Sequence, residues 1–237
     1  MQSGGLIYLN IHSHRPEQTG WERAIQNIFA RDYLPEKCTG GAFSVGLHPY
    51  HTGTAGGEEA IRRVRLATDN MNVCAVGETG LDRSIEIPFE QQARVFKLQV
   101  EIAESAGLPV ILHVVKAFNE MIRFMKQDRP VVPMVVHGYK GGPQMVRELV
   151  RAGFLVSFGE AITGRHGKVK EALRSVPADR FFLETDESER DIREIYRVAS
   201  EIRQIPVEAL CFQMLENARY NFKRFIPEQP GNNSTGL

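Results

Sequence analysis

The chain has 237 residues, of which 42% are hydrophobic and 24% are charged, as in an ordinary globular protein. Its 29 basic residues balance 29 acidic ones, so the protein as a whole offers no strong field to nucleic acid or to an anionic membrane. A polyanionic ligand would have to meet a local basic patch or bound metal ions.

Apolar, strand-like runs alternate along the chain with amphipathic helical stretches, which is the pattern of parallel βα units. Seven strands are predicted, at residues 6–11, 42–47, 72–77, 108–113, 131–136, 153–158 and 180–185. Seven helices are predicted, at residues 58–70, 89–106, 118–127, 143–152, 166–175, 188–203 and 206–224.

A closed parallel barrel needs eight strands. We place the missing one within residues 22–32, where the apolar pattern fits a helix or a strand, because a helix there would leave a gap. The link from His14 to Trp21 is then too short for a first helix. The prediction is an α/β fold, a TIM-type (β/α)8 barrel with its first helix shortened or missing. It would occupy residues 1–226 as one domain, before a disordered tail at 227–237 that has little apolar surface.

The cysteines and the first residues of the chain indicate a cellular compartment. Cys38, Cys74 and Cys211 lack metal-binding or redox spacing, and an odd, unpaired set fits a reducing environment. Residues 1–5 lack the basic region and apolar stretch of a signal peptide, and no apolar run is long enough to cross a membrane. We therefore expect a soluble cytoplasmic protein, and by default a monomer.

Six potential metal ligands stand at the ends of five predicted strands. They are His12, His14, Glu78, His113, His137 and Asp186. Because the carboxyl ends of parallel strands meet at one rim of a barrel, we expect these side chains to converge. Imidazole and carboxylate groups in one place are how proteins hold divalent cations and activate water.

The individual ligands carry signals of different strength. The H-x-H pair at residues 12–14 can direct both imidazoles to one cation, although such a pair on its own is more often two loop histidines. Glu78 lies between two glycines, and its two oxygens could bridge two cations. Asp186 could bind a cation, orient the attacking water or accept its proton. Glu184 points to the same side as Asp186 if the strand persists, which would make it a support for the ligands.

Other polar residues on the same rim are candidates for contact with a substrate. His48 ends a neighbouring strand and could meet substrate or hydrogen-bond a metal ligand. Lys116 and Lys140 each follow a predicted histidine ligand by three residues, and they either contact a phosphate or are solvated lysines. Asp82 is interpreted as structural, capping or holding its loop.

Eight short blocks follow one another in a characteristic order. They are Asn10-Ile11-His12-Ser13-His14, Gly46-Leu47-His48-Pro49, the run from Val76 to Asp82, the run from Pro109 to His113, the run from Val135 to Tyr139, Val156-Ser157-Phe158-Gly159, Leu183-Glu184-Thr185-Asp186 and Glu216-Asn217-Ala218-Arg219. Together they resemble the TatD family of metal-dependent deoxyribonucleases, which belongs to the amidohydrolase-like barrels.

The resemblance implies a chemistry and a set of roles. One divalent cation would be held by His12, His14, Glu78 and Asp186, and a second by Glu78, His113 and His137, with Glu78 shared. The ions would be Mg²⁺, Mn²⁺ or Zn²⁺, and the substrate would be DNA. For hydrolysis of a phosphodiester by such a site, our hypothesis makes Glu78 and Asp186 the catalytic carboxylates. Asp186 would orient the attacking water and take its proton, and Lys116, Lys140 or His48 would contact the phosphate.

Three places depart from the family pattern. The family carries Asp where this chain has Asn10, and Arg shortly after the equivalent of His113, where Val115 stands here. Family members commonly follow the last Asp with Ala or Pro, where this chain has Glu187 and Ser188. The family Asp is expected to support the ligands of the first metal, so Asn10 should weaken or retune that site.

Two other functions stay open from the sequence. The same ligands could serve an amide, ester or lactone hydrolase of the broader amidohydrolase type, against which stands the absence of a carboxylated lysine, with Glu78 in the bridging place. The chain could also be a non-catalytic barrel that binds nucleic acid or a partner protein. Against this stands the intact set of ligands, because a binding module does not need six converging donors.

Overall fold

A computed structural model describes residues 5–17, 20–53, 57–165 and 167–226. The tail predicted at 227–237 lies outside these residues. Eight parallel strands form a single sheet in which each strand pairs with the next along the chain. They are β1 Tyr8–Ser13, β2 Glu22–Phe29, β3 Ala42–Gly46, β4 Val73–Asp82, β5 Val110–Val115, β6 Met134–Val136, β7 Leu155–Phe158 and β8 Phe181–Leu183.

Seven α-helices surround the sheet in the described part of the chain. They are α1 Gly57–Ala67, α2 Phe89–Ala106, α3 Phe118–Gln127, α4 Pro143–Arg151, α5 Gly167–Ser175, α6 Ile192–Arg203 and α7 Val207–Asn221. The TIM-type barrel is thereby confirmed, and the described residues between β1 and β2 hold no helix, as predicted. None of the helices described is long and apolar enough to cross a membrane.

The barrel closes between β1 and β8 at the rim where the candidate ligands lie. Ser13 forms a parallel bridge with Asp186. The Asp186 N–H donates to the carbonyl of His12 at 3.0 Å, and the His14 N–H donates to the carbonyl of Asp186 at 3.1 Å. The hydrogen bonds that complete the cylinder therefore also fix the backbone of three candidate ligands.

The strand placed within residues 22–32 is confirmed as β2, which ends at Phe29 and gives way to a 3-10 turn. Other boundaries differ from the predicted ones. β4 runs five residues beyond its predicted end, to Asp82. β6 begins at Met134 instead of residue 131, since Val131 is 85% exposed and Pro133 has no N–H to give to a ladder. α6 begins at Ile192 because the side chain of Asp191 caps it.

Two buried glutamines on α2 fix the carboxyl ends of β3 and β4. The Gln99 side chain accepts a hydrogen bond from the Leu47 N–H at 2.7 Å and donates to the hydroxyl of Thr79 at 2.6 Å. The Gln92 side chain accepts from the Asp82 N–H at 2.8 Å and donates to the Asp82 carbonyl at 3.0 Å. The outer helix layer therefore sets where the rim residues of these strands stand.

Candidate metal centre

The rim of the barrel brings all six predicted ligands together around Glu78. β4 continues through this residue, so Glu78 lies within a strand instead of following one. Gly80 allows β4 to approach β5 closely: its φ is +146°, and a Cβ there would stand 2.0 Å from the carbonyl oxygen of His113. This approach lets the carboxylates of Glu78 and Asp82 reach the ring of His113.

One oxygen of Glu78 faces the ligands contributed by β1 and by the end of β8. Glu78 Oε2 lies 3.6 Å from His12 Nε2 and 3.6 Å from His14 Nε2. Asp186 Oδ1 lies 3.6 Å and 3.5 Å from the same two nitrogens. His12 is completely buried, and both of its ring nitrogens are buried without a hydrogen-bond partner.

These separations fit a cation better than they fit hydrogen bonds. They exceed the usual donor–acceptor range, and a buried imidazole without a partner is costly. Two ligands that are each about 2.1 Å from a tetrahedral ion lie about 3.4 Å apart. The nitrogens of His12 and His14 therefore lie at distances from the oxygens of Glu78 and Asp186 that are expected between ligands of one divalent cation.

The other oxygen of Glu78 faces a second set of histidines. Glu78 Oε1 lies 2.7 Å from His137 Nε2, 2.9 Å from His113 Nδ1 and 3.3 Å from His48 Nε2. Two sets that include Glu78 have atoms close enough to hold a metal ion, one with His48 and His113 and one with His12 and His137. The two oxygens of Glu78 therefore face two different groups of side chains.

Two histidines of the second group each face a further carboxylate on the ring nitrogen that points away from Glu78. Asp82 Oδ2 lies 3.0 Å from His113 Nε2, and Glu184 Oε1 lies 3.4 Å from His137 Nδ1. An outer carboxylate of this kind fixes the tautomer and orientation of a metal-binding histidine. His113 then offers Nδ1 to a cation, and His137 offers Nε2.

The outer carboxylates are themselves held in place. Asp82 accepts hydrogen bonds from the N–H and the hydroxyl of Ser84, while Glu184 accepts from the N–H of Gly138 at 2.6 Å and from the hydroxyl of Ser157. The structure places Glu184 beside His137, in the supporting position predicted for it from the sequence. Asp82 does more than hold a loop, because it also contacts His113.

His48 is oriented as a hydrogen-bond donor. Its Nδ1 accepts from the backbone N–H of Tyr50 at 3.2 Å, so the proton of the neutral ring is on Nε2. That Nε2 points at Glu78. His48 can therefore donate to a carboxylate or to a substrate oxygen, whereas neutral imidazole in this tautomer has no lone pair left for a cation.

The charges in the cluster shift its titration. Burial acts to raise the pKa of Glu78, but the charge of His137 and the hydrogen bond from His113 outweigh it and hold the pKa well below its usual range. Burial acts to lower the pKa of His137, and the charge of Glu78 overcomes it and raises the pKa well above its usual value. The carboxylate is ionised and electron-rich, as a cation ligand must be.

The side chain of Asn10 lies in a buried hydrogen-bond network that includes the carboxylate of Glu22. Its side-chain N–H group donates to Glu22 Oε1 at 2.8 Å and to the hydroxyl of Thr185 at 2.8 Å, and its oxygen accepts from the Thr185 N–H at 3.0 Å. Glu22 is only 5% exposed. A neutral amide at position 10 fits because Glu22 brings the carboxylate into this network.

The ligands open into a cleft of about 820 Å³. Lys116 and Lys140, both exposed, line this cleft together with Arg31 and Lys168. Although the chain has no net charge, basic side chains therefore surround the candidate metal centre, where a polyanion could approach.

Two residues at the cleft adopt the left-handed backbone conformation. Asp186 has a φ of +54° and Lys116 a φ of +53°. This conformation costs a residue other than glycine on the order of 1–2 kcal/mol, and such strain is concentrated at functional sites. The fold holds these two side chains towards the cleft at a cost in stability.

Comparison with known proteins identifies the family of this chain. The sequence model described as TatD related DNase matches residues 34–223. The chain belongs to the TatD family. It is 33% identical over 202 residues to the "3'-5' ssDNA/RNA exonuclease TatD" of Erwinia billingiae, covering 76% of this chain and 77% of that protein. Membership of the TatD family makes it a metal-dependent hydrolase.

Other TatD relatives match over a smaller part or at a lower identity. The "uncharacterized metal-dependent hydrolase YabD" of Bacillus subtilis is 30% identical over 132 residues, or 54% of this chain and 52% of that protein. The crystal structure of YjjV, a TatD homolog from Escherichia coli, superposes with a TM-score of 0.81 at 24% identity, covering 91% of this chain and 98% of that one. At that identity the superposition shows the shared fold.

Proposed function

We propose that this TatD protein is a nuclease that hydrolyses phosphodiester bonds of single-stranded nucleic acid, with DNA as the predicted substrate. The observation that carries the proposal is the placement of Glu78, whose two oxygens face two separate groups of ligands. That arrangement supports a pair of divalent cations sharing one carboxylate. Mg²⁺, Mn²⁺ and Zn²⁺ are the candidates, since carboxylate favours the first two and imidazole the last.

The residues would divide between the two cations as follows. His12, His14 and Asp186 would hold one, His113 and His137 the other, and Glu78 would contact both. Two cations so placed lower the pKa of a water molecule and offset the charge that develops on a phosphoryl group in in-line displacement.

Asp186 is suited to accept the proton of the attacking water. Burial acts to raise its pKa, but the nearby ring of His12 and the charge of His137 lower it, so the side chain is ionised. Its side chain is 32% exposed, in contrast to the completely buried His12, and it lines the cleft. A base must be within reach of water, and Asp186 is.

The phosphate would be bound by donors that follow the carboxyl ends of three strands. His48 presents an N–H beside Glu78, and Lys116 and Lys140 stand on the rim after β5 and β6. None of these three is needed to hold a cation, so all are free to contact substrate oxygens. The name of the Erwinia billingiae relative, an exonuclease acting on single-stranded DNA and RNA, supports this class of substrate.

The test is hydrolysis of end-labelled single-stranded DNA and RNA by protein that was stripped with chelator and then supplied with Mg²⁺, Mn²⁺ or Zn²⁺. Labels on either end report the direction of digestion. We expect metal-dependent cleavage that is lost in Asp186→Asn and His113→Ala. A matched control is Asp128→Asn, an exposed aspartate that pairs with Lys97 on the outside of the barrel and should keep full activity.

Absence of cleavage by metal-loaded protein, or unchanged activity in His113→Ala, would remove the nuclease proposal. Activity on acyl substrates in the same preparation would turn the assignment towards an amide or ester hydrolase. A monomeric state and a cytoplasmic location stay predictions from the sequence.

A further inference from the structure

The cleft above the candidate ligands has aromatic as well as cationic walls. Phe29, Tyr50 and Phe118 line it. Tyr50 is 52% exposed, and among the exposed large hydrophobic side chains of the described residues it is the one that lines this cleft. Aromatic surface is therefore left open to solvent directly beside the centre.

Tyr50 is held in a fixed position. It lies in the 3-10 turn Pro49–His51, and its backbone N–H donates to His48 Nδ1 at 3.2 Å. Its ring packs edge-to-face with the His48 ring, with the centroids 4.7 Å apart and the planes at 70°. The ring also lies near the His113 ring, with the centroids 6.1 Å apart and the planes at 61°. Both contacts are edge-to-face and Tyr50 stays half exposed, which leaves aromatic surface for a planar ligand.

The tyrosine stands one layer of side chains away from the bridging carboxylate. His48 contacts Tyr50 on one side and Glu78 Oε1 on the other, at 3.3 Å. In a nucleotide, one sugar ring separates the base from its phosphate. A phosphate placed over Glu78 and its ligands would thus put a base beside the tyrosine ring.

We propose that Tyr50 is a stacking subsite for the nucleobase next to the phosphodiester bond that is cleaved, an inference that rests on the proposed function. Stacking on an aromatic side chain uses the face of a base and not its edge, so it is tolerant of sequence. The face is covered when a base is stacked in a duplex. The subsite therefore selects for an unpaired, unstacked base, whichever base it is.

The charge of the side chain is compatible with this role. Burial, followed by the charge of Asp82, raises the pKa of the Tyr50 hydroxyl, so the ring is neutral at physiological pH and does not repel a phosphate. Lys116, on the same cleft, supplies a positive charge for the backbone.

The test compares substrates with and without a base at the cleavage point. Wild-type protein, Tyr50→Ala and Tyr50→Phe are assayed on oligothymidylate and on the same oligomer whose terminal residues carry a tetrahydrofuran abasic analogue. Tyr220→Ala, which removes a ring that is 82% exposed on α7, is the matched control. Binding of the labelled oligomers is also measured by fluorescence anisotropy in EDTA, where metal-dependent turnover is prevented.

We expect Tyr50→Ala to raise KM on oligothymidylate by roughly 5- to 150-fold, which corresponds to the 1–3 kcal/mol of one base–aromatic contact. It should leave the abasic oligomer unaffected, and Tyr50→Phe and Tyr220→Ala should resemble the wild type on both. Equal losses on both substrates, or no loss on either, would overturn the subsite. Base-dependent binding that Tyr50→Ala abolishes in a protein without nuclease activity would retain the subsite and reject the proposed function.

Discussion

The pairing of Asn10 with Glu22 gives a sharp test of how the inner end of the site is built. Asn10→Asp restores the residue expected from the family but sets a carboxylate against Glu22 Oε1, where the amide N–H now donates at 2.8 Å. Either the hydrogen bond to a charged group is lost, at about 1.5–3 kcal/mol, or one carboxyl takes up a proton. Protonating an ordinary carboxyl at pH 7 costs about 3–4 kcal/mol. We therefore expect a destabilisation of about 2–3 kcal/mol at pH 7.

The sign of the pH dependence follows from the second route. As pH falls towards the ordinary pKa of a carboxyl, the free energy needed to protonate one of the two carboxyls decreases. The difference in free energy of unfolding between Asn10→Asp and the wild type therefore shrinks. The assay is urea unfolding of metal-free protein at pH 7 and pH 5, with Glu22→Gln and the double variant completing a double-mutant cycle. The double variant should recover most of the loss. Asn10→Asp within 0.5 kcal/mol of the wild type (a difference of about twofold in the unfolding constant), or a double variant no better than the single one, would refute the pairing.

Three further expectations follow from the site. Glu184→Gln preserves the shape of the side chain and its hydrogen bonds but removes the charge that faces His137. Metal affinity measured by calorimetry should therefore fall about 10- to 100-fold. An equal fall in Glu160→Gln, a variant at an exposed residue of the rim, would contradict this expectation. Lys116→Gly relieves the strain of a left-handed backbone conformation. The free energy of unfolding should therefore be unchanged or higher by up to about 1 kcal/mol, while nuclease activity falls. The control is Gln204→Gly, at a residue with a φ of +56° far from the site, which should keep its activity. The pKa of His137 is raised because, although burial opposes it, adjacent carboxylates favour the proton. This proton stabilises metal-free protein below about pH 6.5 and the effect is lost as pH rises through the folded-state pKa, whereas the gain in Tm from Mn²⁺ should grow over the same range; a gain that is constant with pH would contradict it.

The sequence was sufficient for the architecture and for which side chains converge. Apolar runs separated by amphipathic helices indicated parallel strands, and the requirement of eight strands correctly placed a strand within residues 22–32. The exact length of strands was not predictable, because the continuation of β4 to Asp82 depends on Gly80 lying against the backbone of His113. Local composition suggested a loop at the same place.

That missed extension explains the incomplete interpretation of Asp82. Residues 78 and 82 share one face of a strand because side chains alternate. Had β4 been continued through the glycines, the spacing would have placed Asp82 on the same face of the strand as Glu78. The role of His48 as a donor had no sequence signal of this kind, since it depends on a hydrogen bond to its ring from the backbone of Tyr50.

The pairing of Asn10 with Glu22 was equally invisible from the sequence. The two residues are 12 positions apart on neighbouring strands, and only the register of β1 against β2 brings them together. A departure from the family at one position therefore looked like a loss of charge. In the structure the carboxylate is supplied by the adjacent strand.

Anomalous diffraction from crystals grown with Mn²⁺ would reveal whether Glu78 bridges two cations. We expect two manganese peaks, one on each side of the Glu78 carboxylate, the first among His12, His14 and Asp186 and the second between His113 and His137. A single peak, or two peaks that do not both contact Glu78, would rule out a bridging role for this carboxylate.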